Sequence, residues 1–129
     1  MKNKKRIIQI NKPVYEEVVL KSTEPYFLMF GADWDHYSLY LYDDIKWYVE
    51  KFEGMINFGI VDIEIYRELF TEFEITTIPT MLILEDGKEY CRTEGYIGRM
   101  VLEKMMYDFF GYLHYTPMYE ETIPKRRIF

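Results

Sequence analysis

Asp35 and Ser38, set i to i+3 in the stretch Gly31-Ala32-Asp33-Trp34-Asp35-His36-Tyr37-Ser38, stand where a chain most readily does chemistry. An apolar run, Tyr26 to Phe30, ends just before them, and a helical pattern begins just after. A strand that turns into a helix aims free backbone N–H groups and the positive end of the helix dipole at one spot. The residue types at that spot then decide what is done there. Asp33, Asp35 and His36 suggest a metal, but neighbours in sequence rarely converge on one ion without ligands from elsewhere, and the chain has only two histidines. Two carboxylates would repel a phosphate. An N-cap needs no chemistry: Asp35 would accept from the first helical turn, with Ser38 near its third position. The sharper reading makes Asp35 a fixed anion that a partner recognises noncovalently. No metal and no cofactor are expected.

Cysteine chemistry is almost closed to this chain. Cys91 is its only cysteine, which excludes an internal disulfide and any Cys-only metal site. A lone cysteine is usually a small buried hydrophobe. Without a lowered pKa or a partner thiol it is a poor redox group.

The elements that must hold the stretch read as follows. Arg6 to Ile10 is a short strand. Asn11 suits an N-cap, with Pro13 in the first turn of a short helix through Val14, Val18, Leu20 and Lys21. Ser22-Thr23-Glu24-Pro25 breaks it. Tyr26 to Phe30 is continuously apolar, as in a central strand covered on both faces. Leu41, Ile45, Tyr48, Val49 and Phe52 recur at steps of three and four, an amphipathic helix ending near Gly54. Asp43, Asp44, Lys46, Glu50 and Lys51 are expected on its other face. Ile56 to Ile63 is a second buried-type strand, and Tyr66 to Phe73 a short helix. Thr80 to Leu84 and Lys88 to Thr93 flank Asp86-Gly87 as a hairpin. Met100 to Leu113 is a last helix, apolar at Val101, Leu102, Met105, Met106 and Phe109. The order β-α-β-α-β-α-β-β-α implies an α/β fold with a mixed central sheet and helices on both faces. Residues 1–113 are expected to form the domain. Residues 114–129 form a C-terminal tail rich in aromatic residues, expected to dock on the domain or on a partner.

Composition narrows the function. With 129 residues, 49% apolar, 13 Tyr and 9 Phe, the chain suits one domain with a sizeable core. The longest apolar runs are about six residues, far short of a membrane span. Lys2 to Arg6 is basic, but the apolar segment behind it stops at Ile10, too short for a secretory signal, so a cytoplasmic protein is expected. Net charge is −6, unevenly spread. Residues 7–124 carry 9 Lys and Arg against 22 acidic residues, or −13. A body this acidic argues against direct nucleic-acid binding. The basic ends suit contact with an acidic partner, but such ends are more often solvated tails.

In this order the chain resembles a thioredoxin. The family motif is a Trp followed by Cys-Gly-Pro-Cys at the end of the second strand; here Trp34 is followed by Asp35-His36-Tyr37-Ser38. The family's cis-proline turn corresponds to Ile78-Pro79-Thr80, at the expected separation from Trp34. Asp86-Gly87, Gly95, Arg6-Ile7-Ile8 and Leu20-Lys21 fall in the same register. The resemblance covers roughly residues 6–111. The departures agree with one another. Asp35 and Ser38 replace both thiols, and Tyr37 replaces the motif proline. Asp43 replaces a helix-kinking proline, which implies a straighter helix. Met29 and Ile60 stand where a buried acid and a lysine would serve the thiols, and an apolar pair there avoids the cost of burying an idle charge. A narrower similarity, to the spliceosomal thioredoxin-like family, rests on Phe30-Gly31-Ala32-Asp33-Trp34-Asp35 and Val61-Asp62-Ile63.

The resemblance implies a redox-inactive thioredoxin-like protein that acts as an interaction or scaffold module for an unidentified protein partner. No catalytic residues and no ordinary disulfide reductase activity are expected of it. Trp34, Asp35, His36, Tyr37 and Ser38 would be a vestigial active-site loop. Trp34, Tyr37, Ile78, Pro79, Gly95 and Tyr96, with His36, would line a groove for an extended peptide. The alternatives are a thioredoxin-type oxidoreductase using Cys91 with an external thiol, and a structural subunit of a ribonucleoprotein complex.

Overall fold

The computed structural model describes residues 6–113. By internal contacts the chain falls into two units, Met1–Ile97 and Gly98–Phe129. The first holds five strands and the first three helices, and the second begins with the last helix. The tail from His114 onward, expected to dock, lies outside the described residues.

Five strands form one mixed sheet in the order β1-β3-β2-β4-β5. They are β1 (Ile7–Gln9), β2 (Tyr26–Gly31), β3 (Asn57–Asp62), β4 (Thr80–Glu85) and β5 (Lys88–Glu94). β1, β3 and β2 run parallel, while β4 is antiparallel to β2, and β5 to β4. This is the element order and sheet type read from the sequence. β2 lies in the middle of the sheet, and all six of its residues are buried. Its alternating side chains supply two cores. Tyr26, Leu28 and Phe30 pack with Tyr15, Val19, Tyr66, Leu69 and Phe70 on one face. Met29 and Gly31 point to the other, toward Ser38 of α2 (His36–Lys51). Helices therefore cover both faces of the first unit.

The first helix differs from its expected form. Asn11 caps it as expected, its side chain accepting from the Val14 N–H at 2.9 Å, with Pro13 in the first turn. α1 (Lys12–Val14) then widens into a π-helical turn over Tyr15–Val19, closed by the Leu20 N–H donating to Tyr15 O at 2.9 Å. The buried residues are Tyr15 and Val19, whereas Val18 and Leu20 are exposed. The aromatic ring decides which face turns inward: Tyr15 packs edge-on against both Tyr66 and Phe73.

α2 buries Leu41, Ile45, Tyr48 and Val49 as expected, but Asp44 is buried too, where the sequence reading placed it on the solvent side. α3 (Arg67–Glu72) ends in a motif usually closed by glycine. Ile75 N–H donates to Phe70 O at 2.8 Å and Glu74 N–H to Thr71 O at 3.0 Å, with Glu74 left-handed at φ 56°. At the hairpin, Asp86 and Gly87 both have positive φ, as a two-residue turn between twisted strands requires. α4 (Gly98–Leu113) buries Leu102, Met106, Phe109 and Phe110, a one-sided stripe; Val101, expected among its apolar positions, is exposed.

Arg92 ties the edge strand to the end of α3. Its guanidinium donates to both oxygens of Glu89, at 2.7 and 2.8 Å, and to Phe73 O at 2.7 Å. The bond from Arg92 holds the Glu89 carboxyl below its ordinary 4.5. A lowered carboxylate stabilises the fold fully above its unfolded value, and that contribution is lost as pH falls through the folded value. Arg92→Gln is expected to lower stability by about 1–3 kcal/mol, because two charge-assisted bonds and a helix-terminal carbonyl lose their donor. Urea melts at pH 7 should register the loss, and the gap between wild type and variant should narrow in acid, below about pH 4.5. A constant gap down to pH 3 would place the effect elsewhere.

Candidate functional site

The loop after β2 is closed by its own side chains. Asp35 is the N-cap of α2: its Oδ2 accepts from the Ser38 N–H at 2.8 Å and from the Ser38 hydroxyl at 2.9 Å. The Ser38 Oγ in turn accepts from the Ala32 N–H at 3.2 Å. The side chains of the i and i+3 residues are thus bonded to each other, and the serine is 1% exposed. A carboxylate here satisfies one orphan N–H, that of Ser38, and meets the helix dipole with its own charge, together worth about 1–2 kcal/mol. The bland expectation for Asp35 is therefore what the geometry contains.

Gly31 is the reason the loop can close so tightly. A Cβ on it would sit 2.5 Å from Ser38 Oγ and 3.1 Å from Met29 Cε. Serine, methionine and glycine thus meet at one spot beneath the loop. Met29 is paired with Ile60 across β2 and β3, so the two apolar substitutions noted in the sequence stand side by side.

Around the loop, the expected groove residues divide into three groups. Trp34 is 61% exposed, and its indole Nε1–H points to Glu64 Oε2 at 3.4 Å, in the loop after β3. Tyr37 belongs to a cluster with Tyr40 and Tyr96, its ring 5.8 Å from Tyr40 and stacked at 6.1 Å on Tyr96, with Tyr40 and Tyr96 5.9 Å apart. The Tyr96 hydroxyl donates to buried Asp44 at 2.8 Å. Ile78 and Pro79, joined by a cis peptide bond, form the third group. Pro79 is buried, and its carbonyl accepts from the Gly95 N–H at 2.7 Å, which sets Tyr96 next to the proline loop. His36 is exposed at the first position of α2.

Tyr40, Asp44 and Glu64 were not among the site residues read from the sequence. Tyr40 and Asp44 carried a usable signal, since both fall on the helix face of Tyr37 at i+3 and i+7. Glu64 carried none, because a loop residue far away in sequence meets Trp34 only through the parallel pairing of β2 and β3.

A family model for thioredoxin matches residues 6–108. The chain belongs to the thioredoxin family. It is 28% identical over 81 residues to Thioredoxin Y, chloroplastic, from Oryza sativa subsp. japonica, an alignment covering 63% of this chain and 48% of that protein. The chain thus spans about half the length of the curated relative it matches.

This thioredoxin-family chain has one thiol, and the fold keeps it from the loop. Cys91 is opposite Ile83, which is opposite Phe27, so it lies two strands across and four residues below the level of Gly31. That is about 10 Å across the sheet and 13 Å along it. Burial, the largest cause, pushes the thiol up to about 11. Among the described residues no group of three or more His, Cys, Asp or Glu side chains is placed to hold a metal ion, and no helix is long and apolar enough to cross a membrane.

The closeness of Gly31 and Ser38 is testable by a thermodynamic cycle. Gly31→Ala is expected to cost about 1–3 kcal/mol, the range for overpacking a closed site. Ser38→Ala should also destabilise, by removing two loop bonds. Combined, the two should cost clearly less than their sum, because deleting Oγ relieves the clash. Additive losses in chemical denaturation would show that the steric reading of Gly31 is wrong.

Proposed function

We propose that this protein is a redox-inactive member of the thioredoxin family that binds an extended segment of a protein partner. The carrying observation is the set of exposed aromatic rings, Trp34, Tyr37 and Tyr40, with Tyr96 beside them, around a loop whose only acid–hydroxyl pair is internally bonded. Exposed large aromatics are costly unless they contact something, and rings of this kind are frequent anchors in interfaces. The Ile78-Pro79 loop beside them gives an extended chain an edge to lie against.

Reductase activity lacks support on two grounds. Asp35 and Ser38 cannot cycle between thiol and disulfide. Cys91 is held largely as the unreactive thiol, since a rise from 9 to about 11 lowers the thiolate fraction at neutral pH about 100-fold.

In an insulin-reduction assay the protein is expected to give the rate of a no-protein control; turnover above it would sink the inactive reading. Tagged protein recovered from its native host should retain a partner that is lost with Trp34→Ala or Tyr37→Ala. A partner held equally by both variants would move the interface off this surface.

Restoring both thiols, as Asp35→Cys with Ser38→Cys, is expected to leave reductase activity about 100-fold or more below that of a true thioredoxin. Met29 and Ile60 offer those thiols no group to accept or donate a proton. Activity close to a true thioredoxin's would overturn this account, and adding Met29→Asp should raise activity if it is right.

A further inference from the structure

The Asp and Glu residues of the loops that form the proposed groove have no Lys or Arg among them. We infer that the occupant of the groove is an extended polypeptide segment carrying Lys or Arg between apolar residues. This deepens the interaction reading above and rests on it.

Charge complementarity carries the argument. The segments that bring the groove residues together are 31–40, 62–66, 78–79 and 95–97. They contain Asp33, Asp35, Asp62 and Glu64, and no Lys or Arg. Asp35 is committed to capping α2, and one Asp62 oxygen accepts from the Glu64 N–H at 2.7 Å. Asp33 is exposed next to Trp34 in its own loop, and Glu64 is exposed on the loop that meets the Trp34 indole. Beneath the tyrosine cluster, Asp44 accepts from the Tyr96 hydroxyl. Hydrogen bonding to a carboxylate pushes electron density toward the phenol ring and favours a cation over its face.

Aromatic faces and carboxylates ask for the same ligand group. A guanidinium or ammonium over Trp34 or Tyr37 gains from the ring quadrupole and from the acids at the rim. An acidic segment would meet repulsion from Asp33 and Glu64 without a compensating cation in these loops. A purely apolar one would use the rings and leave the charges unanswered. Rim charges act on association rate and on choice of partner more than on total affinity. The acids therefore select, and the rings hold.

The test uses the full chain and three fluorescein-labelled decapeptides. Each has Val and Ile at alternate positions, with Lys, Ser or Glu between them. Fluorescence anisotropy should show the Lys peptide binding at least about tenfold more tightly than the Glu peptide, with its affinity falling as salt is raised. Asp33→Asn with Glu64→Gln, both at exposed positions, should weaken the Lys peptide by about threefold to tenfold and flatten its salt dependence. Trp34→Ala should weaken the Lys and Ser peptides alike. Equal binding of the three peptides, or tighter binding of the Glu peptide, that still depends on Trp34 overturns the charge inference and leaves the groove in place. Binding of none of them overturns both. Circular dichroism of each variant separates lost binding from lost folding.

Discussion

Every part of the site hangs from a strand that touches no water. Because β2 is buried on both faces, each of its N–H and C=O groups must find a partner in β3 or β4, and every side chain must be covered by a helix. That constraint fixes where Gly31 ends and hence where α2 begins. It also sets the loops after β3 and before β4 beside the same point, since their strands are in register with β2. Trp34 meets Glu64 and Gly95 meets Pro79 as consequences of that pairing.

A thioredoxin-family site can lose its thiols and keep its shape because the shape has its own supports. The helix N-terminus still needs an acceptor, and Asp35 supplies one. The space under the loop still needs filling, and Ser38 and Met29 fill it against the bare Cα of Gly31. A carboxylate–hydroxyl pair holds the i to i+3 geometry with hydrogen bonds, which need no oxidant or reductant to form. The loops around it keep exposed aromatic rings and carry the exposed acids Asp33 and Glu64.

Much of this was legible in the chain. Strand and helix order, the Asp35 cap, the hairpin at Asp86-Gly87 and the Met29/Ile60 pair all follow from local chemistry or from register along the chain. The misses share a physical cause. Val18 and Leu20 satisfy a helical period, but a π turn rotates Tyr15 and Val19 inward instead, because three aromatic rings pack better that way. Asp44 looks like a solvent-side charge until Tyr96, far along the chain, donates to it. Glu74 occupies a left-handed position usually given to glycine, held by the end of α3 and faced by Arg92.

The sequence by itself determined the family frame and the loss of the redox pair, since both depend on which residues stand at which spacing. It also determined the acidic balance of the body. Only the tertiary structure decided which exposed rings gather and which acids face them. It alone showed that the one thiol lies beyond reach of the loop. Those facts depend on strand pairing between distant segments, and local sequence carries no term for the distance between Trp34 and Glu64 or between Tyr37 and Tyr96.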